Sequence, residues 1–193
     1  MSVGLQIKDN HGFYFITFTC QNWLPLFEIT NGYDLIYKWF DYLKTKNHYI
    51  NGYVIMPNHL HALIALKNSE KFINAIVSNA KRFMAYEIVK RLTDYEKRMV
   101  LNKLSDAVTL SDRKRGKLHQ VFQPSFDCKN CYSEKFIEQK LMYIHDNPCR
   151  GKWNLADAPS EYKHSSAKYY ETGEHAAYAV INYKEIYDMD LTT

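Results

Sequence analysis

The chain has no run of apolar residues approaching the roughly 18 that a membrane-crossing helix requires. That excludes a helical membrane protein and a membrane partner of the spanning kind. Its beginning, Met1-Ser-Val-Gly-Leu-Gln-Ile-Lys-Asp-Asn10, has no apolar signal-peptide core. Cysteine is sparse, with only Cys20, Cys128, Cys131 and Cys149. Cys128 and Cys131 form a single C-x-x-C pair with no second pair, whereas a structural zinc ion takes four ligands. His119 is the one further residue considered for such a site, and free thiols in a reducing compartment are the ordinary reading. Internal repeats and low-complexity segments are missing too. These absences lead to the expectation of a soluble, cytoplasmic protein.

What is present is a chain of 193 residues with a 46% apolar share, enough for a full core without disulfide staples. One domain with appendages is expected. Aromatic residues reach 15%, and 16 of them are tyrosines, which suit both base-stacking surfaces and ordinary cores. The net charge, +4, is unevenly spread. Lys81 to Lys117 carries eleven Lys and Arg against five Asp and Glu, and Asp157 to Thr193 carries three against seven. A basic middle with an acidic tail is compatible with a polyanion partner and equally with a solvated helix and loop.

Phe13-Tyr-Phe-Ile-Thr-Phe-Thr-Cys20, rich in aromatic and β-branched residues, reads as a first strand within His11 to Cys20. A helix follows, capped at Thr30 or Asn31 and running to about Lys46, with Leu35, Ile36, Trp39, Phe40 and Leu43 at helical spacing. His48–Met56 and His59–Leu66 read as strands separated by a break at Pro57-Asn58. A second helix spans about Ser69 to Leu92, and Val121–Phe126 reads as a short edge strand because of Pro124. Ser133 caps a last helix, with Glu134 in its first turn, that stops before Pro148. The order is that of an α+β, ferredoxin-like split βαβ antiparallel sheet. Helices cover one face of it, the other face is open, and a helix follows the fourth strand. Residues 1–155 make the main domain, with 93–120 as a basic insertion, and residues 156–193 make a C-terminal extension.

Alternation along the third strand puts Leu60, Ala62, Ile64 and Leu66 on the core face and His59 and His61 on the other. The histidine α-carbons are then about 6.5–7 Å apart. Two imidazoles so placed can converge on one divalent ion with metal–nitrogen bonds of about 2.1 Å. In the last helix Gln139, Tyr143 and Asn147 fall at i, i+4 and i+8 beside the apolar positions Ile137, Leu141 and Ile144. Asn147 can offer its amide oxygen as a third ligand, and Tyr143 can reach a phosphate held at the ion. Tyr143 can equally be a half-buried helix aromatic, and Asn147 a helix cap before proline. His145 lies two residues from Tyr143, roughly 200° around the helix, so it is no obvious base.

Together these stretches resemble a known family. Pro57-Asn58-His59-Leu60-His61 is similar to the His-hydrophobic-His (HUH) motif of single-tyrosine transposases. Tyr143-Ile-His-Asp-Asn147-Pro148 is similar to the signature of their branch associated with repetitive extragenic palindromes. Phe122-Gln-Pro-Ser-Phe126 and Ser165-Ser-Ala-Lys-Tyr-Tyr170 resemble flanking segments of that branch, so the likeness spans about residues 11–170. The 93–120 segment departs from the common pattern, and insertion-sequence members of the wider family more often carry glutamine where Asn147 stands.

The resemblance implies an enzyme that nicks and joins single-stranded DNA beside a hairpin. Tyr143 would be the catalytic nucleophile, leaving a 5′-phosphotyrosine link and a free 3′-hydroxyl. His59, His61 and Asn147 would hold Mg²⁺ or Mn²⁺. Lys81, Arg82, Arg113, Lys114, Arg115 and Lys117 are candidates for holding hairpin phosphates. The protein would act as a monomer or homodimer, nucleoid-associated in a bacterial-type cell. Two other readings compete. A two-histidine phosphoesterase needs two His-x-Ser/Thr motifs, and only His164-Ser-Ser166 offers one. A DNA-binding protein of the same fold that has lost cleavage would not need His59, His61 and Tyr143 together.

Overall fold

The computed structural model describes residues 9–151 and 153–192. Most of the N-terminal stretch lies outside them, so the expectation about it is not addressed. Strand β1 (Gly12–Thr19) is followed by a short helix α1 (Leu26–Ile29), helix α2 (Tyr33–Thr45) and the hairpin β2 (Tyr49–Met56) and β3 (His59–Leu66). Then come α3 (Ile73–Asp94), α4 (Arg98–Asp106), α5 (Leu110–Lys114), β4 (Asp127–Asn130) and α6 (Glu134–Asp146). Two short helices, α7 (Ala167–Thr172) and α8 (Tyr183–Ile186), lie in the C-terminal stretch. The four strands are ordered β2-β3-β1-β4 and every pair is antiparallel. That is the arrangement expected of the split βαβ pattern.

Alternation sorts the strands into two faces. Tyr14, Ile16 and Phe18 of β1 and Leu60, Ala62, Ile64 and Leu66 of β3 bury against α2 and α3. Phe13 and Phe15 of β1, Val54 and Met56 of β2, and Leu63 and Ala65 of β3 form the other face. The sequence reading leaves this second face open except where the last helix must cross it for Tyr143 to meet the histidines; the structure packs Ile137, Leu141 and Ile144 of α6 onto it, and also Tyr183, Ile186 and Leu191. The reason lies in the face itself, which is too apolar to leave in water. The Ser133 side chain accepts from the Phe136 amide and starts α6 as expected.

Two further expectations shift. The fourth strand is Asp127–Asn130, while Val121–Phe126 contributes only a bridge between Phe122 and Cys20. Lys81 Nζ donates to the carbonyls of Gln123, Pro124 and Ser125 at 2.7, 3.4 and 3.2 Å, which holds that segment as a loop. The 93–120 segment forms α4 and α5, with Leu104 buried in the main core. Cys128 packs toward the α2–α3 side and Cys131 toward α6, so the C-x-x-C pair diverges across the sheet.

The C-terminal stretch returns along the outer edge of β2. Ile55 N donates to His164 O at 2.8 Å, and Ser166 N to Tyr53 O at 3.0 Å, satisfying an edge that would otherwise invite pairing. Among the described residues no helix is long and apolar enough to cross a membrane.

Gly52, beside a bulge in β2, lies directly under α6, and a Cβ there would collide with Leu141 Cδ2. Gly52→Ala is expected to lower stability by about 1–3 kcal/mol in urea denaturation. The cost should shrink when Leu141→Ala is already present, because the colliding group is then gone. His164 stacks on Tyr33 with ring centroids 3.8 Å apart and bonds Tyr37 Oη at 2.8 Å. Burial, with Lys163 adding, lowers its pKa to about 4. An unfolded histidine titrates near 6.5, so the stability owed to neutral His164 is complete above that pH and is lost as pH falls toward 4. His164→Phe should therefore show a smaller fall in urea midpoint between neutral and acid pH than the parent chain.

Candidate active site

His59 and His61 sit on β3 directly opposite Thr19 and Thr17 of β1, with Met56 of β2 across from His59. They are 7% and 5% exposed, deeper than an open sheet face would leave them. Helix α6 crosses above, and its apolar ridge turns Tyr143 and then Asn147 toward the pair. The rings of His59 and His61 are 4.8 Å apart, and the Tyr143 ring stands edge-on to His61 at 5.0 Å. Phe15 stacks on His61 at 5.6 Å and meets Tyr143 edge-on at 5.9 Å. Tyr143 keeps 49% of its surface exposed and lines the cleft, so one half of it packs while the other faces solvent.

A second row of residues orients the imidazoles. The fully buried Asn58 donates through Nδ2 to Trp23 O at 3.1 Å, which turns its Oδ1 toward His59. His59 Nδ1 lies 2.6 Å from that oxygen and must be the donor, because an amide oxygen only accepts. Burial lowers the His59 pKa to about 4, partly offset by Asn147, so the ring is neutral at pH 7 and has a single proton. With that proton on Nδ1, Nε2 presents a lone pair. Asn147 Oδ1 faces it at 3.2 Å. Two acceptor atoms therefore converge with no proton between them, an arrangement that a cation satisfies. Two ligand atoms held at right angles about 2.1 Å from one ion are about 3.0 Å apart, so the spacing fits.

His61 is neutral as well. Burial, then the nearby His59 and Lys140, bring its pKa down to about 3. Its Nδ1 contacts Thr17 Oγ1 at 2.5 Å, and a histidine whose other ring nitrogen is engaged by such a partner is oriented as metal-bound histidines are. The set that could hold an ion is two neutral imidazoles and one amide oxygen. Among the described residues no group of three His, Cys, Asp or Glu side chains gathers to hold an ion, and this set has only two of that kind.

The structure thus brings His59, His61, Tyr143 and Asn147 into one cleft, with His59 and Asn147 88 residues apart in the chain. Asn147 also ends α6 and begins a 3₁₀ turn through Cys149, so its capping and facing roles coexist. Gln139, one turn before Tyr143 in the same row, is exposed and does not line the cleft, whereas Lys140 does. His145 points away, with Nε2 2.9 Å from Ser166 Oγ.

The six basic candidates lie apart from the cleft. Lys81, Arg82, Arg115 and Lys117 line a neighbouring groove beside α3, while Arg113 donates to Ser105 O and Lys114 ends α5. Among the described residues, the cations at the cleft are Lys129, Lys140 and Arg150, and the sequence pattern did not single them out. Lys140 had a signal in its place three residues before Tyr143 on the same helix face. Thr17, Phe15 and Trp23 had none, because strand pairing and a loop bring them there.

No family model and no curated protein matches the chain. Among solved structures, a REP-associated tyrosine transposase bound to a REP hairpin aligns over 94% of this chain and 93% of its own, with a TM-score of 0.58 and 18% identity. The chain has the fold of that protein. A Deinococcus radiodurans protein proposed to be a transposase aligns over 76% of this chain and 97% of its own, with a TM-score of 0.42 and 15% identity, a likeness too shallow to carry an argument.

The tautomer assignment is open to measurement. Imidazole ¹⁵N shifts of the metal-free protein at pH 7 should report His59 protonated at Nδ1 and bare at Nε2. In Asn58→Leu the preference should collapse toward a mixture, because nothing then accepts from Nδ1. An unchanged tautomer in that variant would remove Asn58 from its orienting role.

Proposed function

We propose that this protein is a metal-dependent transposase-type enzyme that cleaves and rejoins single-stranded DNA beside hairpins, with Tyr143 as nucleophile. The observation that carries the reading is the convergence of His59 Nε2, His61, Asn147 Oδ1 and the exposed half of Tyr143 in one cleft. The motif resemblance of the same residues and the shared fold support it from independent directions. The hairpin comes from the resemblance and from the DNA that the structural neighbour binds.

His59, His61 and Asn147 would hold Mg²⁺ or Mn²⁺. Imidazole favours the transition ion, and cellular abundance favours magnesium. Such an ion supplies Lewis-acid polarisation of a non-bridging phosphate oxygen and positions the phosphate. The chain's own residues do the rest. Tyr143 Oη attacks phosphorus, a phosphorus–oxygen bond to Tyr143 forms and the bond to the 3′-oxygen breaks. The phenol proton leaves to water in the cleft, and the departing 3′-oxygen takes up a proton. The phosphodiester energy is kept in the 5′-phosphotyrosine link, so a 3′-hydroxyl can reverse the step and join strands. Phe15, stacked on His61 and edge-on to Tyr143, holds the nucleophile's ring against the site. Lys129, Lys140 and Arg150 line the same cleft and would neutralise the strand's phosphates.

Tyr143→Phe removes one oxygen and leaves the packed half of the ring in place. On a denaturing gel with a single-stranded oligonucleotide flanking a hairpin and Mn²⁺, the parent chain should give a covalent band and Tyr143→Phe none, with oligonucleotide binding retained. His61→Ala should abolish the band and weaken Mn²⁺ binding measured by calorimetry, and Asn147→Ala should do both more mildly. Binding of hairpin DNA by the parent chain with no covalent band across many hairpins would favour a DNA-binding protein that does not cleave.

A further inference from the structure

Trp23 stands where a folded chain has little use for it. It follows β1 in a tight turn, and both Asn22 and Trp23 have left-handed backbone, with φ of 53° and 56°. Residues with side chains seldom adopt that conformation, and it persists only where the surroundings enforce it. Here they do. Trp23 N donates to Cys20 O at 3.1 Å, Leu24 N to Gln21 O at 3.1 Å, and Cys20 N to Asn58 O at 2.8 Å. Asn58 Nδ2 then donates to Trp23 O at 3.1 Å. The same buried amide holds the Trp23 backbone with one end and the His59 ring with the other, so the indole keeps a set place relative to the histidines.

The turn leads into the buried Leu26 and Phe27, but the indole itself does not serve the core. Trp23 is 55% exposed, its ring contact among the described residues is edge-on to His59 at 5.9 Å, and the remainder lines the cleft. An indole held rigidly beside a phosphate-handling site offers a flat face to a planar group. Lys129, Lys140 and Arg150 line the same cleft and suit the backbone to which that planar group is attached. We propose that Trp23 is a stacking platform for one unpaired nucleobase next to the scissile phosphate, so that the cleft grips a base as well as a phosphate. A base inside a duplex is already stacked on both sides, so the platform selects single-stranded substrate at this position whatever the base. The inference rests on the DNA-cleaving reading of the cleft and adds a contact to it.

The test uses the full chain with Tyr143→Phe, so that binding is read without chemistry. The probe is a fluorescein-labelled oligothymidylate of about 12 nucleotides. Stacking of a base on an aromatic ring accounts for about 1–3 kcal/mol, or roughly 5- to 150-fold in affinity. Trp23→Ala should weaken binding within that range, and Trp23→Phe should stay within about threefold of the parent. On an abasic strand of the same length the parent and Trp23→Ala should bind alike. The thermal midpoint of Trp23→Ala should match the parent's, since the ring is half in solvent. Equal affinity of Trp23→Ala for oligothymidylate overturns the platform and leaves the cleavage reading standing, because the covalent-band assay reads that separately. An equal loss on the abasic strand also overturns it, since the effect would then act through the site's shape. Failure of the parent to bind any single strand overturns both.

Discussion

One apolar ridge on α6, buried against the second face of the sheet, sets the geometry of the site. Ile137, Leu141 and Ile144 press onto a face made by Phe13, Phe15, Val54, Met56, Leu63 and Ala65. Fully burying such a side chain contributes about 1.5–3 kcal/mol, so the ridge dominates over any single polar contact in the cleft. Once it is seated, helical spacing leaves Tyr143 and Asn147 no choice but to face β3. Gly52 permits the close approach, because any side chain there would meet Leu141. The core therefore positions both the proposed nucleophile and the proposed third ligand, while the turn at Asn58 and the loop at Trp23 complete the cleft.

The polar part of the site depends on dryness. Burial keeps both histidines neutral, which leaves their lone pairs available to an ion. Asn58 and Thr17 then engage the Nδ1 atoms. Asn58 is the most economical of these groups, since one amide sets the His59 proton and anchors the Trp23 turn. Losing it would leave buried polar groups without partners as well as a misdirected ring.

Much of the fold was legible from period alone. The three long strands and α6 lie where alternation and helical spacing placed them, because those segments are long and strongly patterned. The misplacement of β4 has a local cause. Asp127–Asn130 is polar and four residues long, so it carries no pattern, and it is a strand because β1 offers it an edge. The crossing of the second face by the last helix was legible, but not that the face is apolar and covered along its length. Leu63 and Ala65, on the same face as His59 and His61, were the signal that something apolar had to cover it. Lys81 shows the converse error. It reads as a surface cation in a basic segment, yet its ammonium caps three backbone carbonyls.

The sequence by itself determined which residues share a face and which helix positions align, since both follow from fixed rises and rotations along the backbone. That suffices to pair His59 with His61 and Tyr143 with Asn147, because each pair lies within one element. Only the tertiary structure decided that the two pairs meet, that Asn58 orients His59, and that Trp23, Lys129 and Lys140 line the cleft. These contacts join segments far apart in the chain, and their geometry is set by strand register and by helix packing on a sheet face. Neither leaves a periodic trace in any one segment.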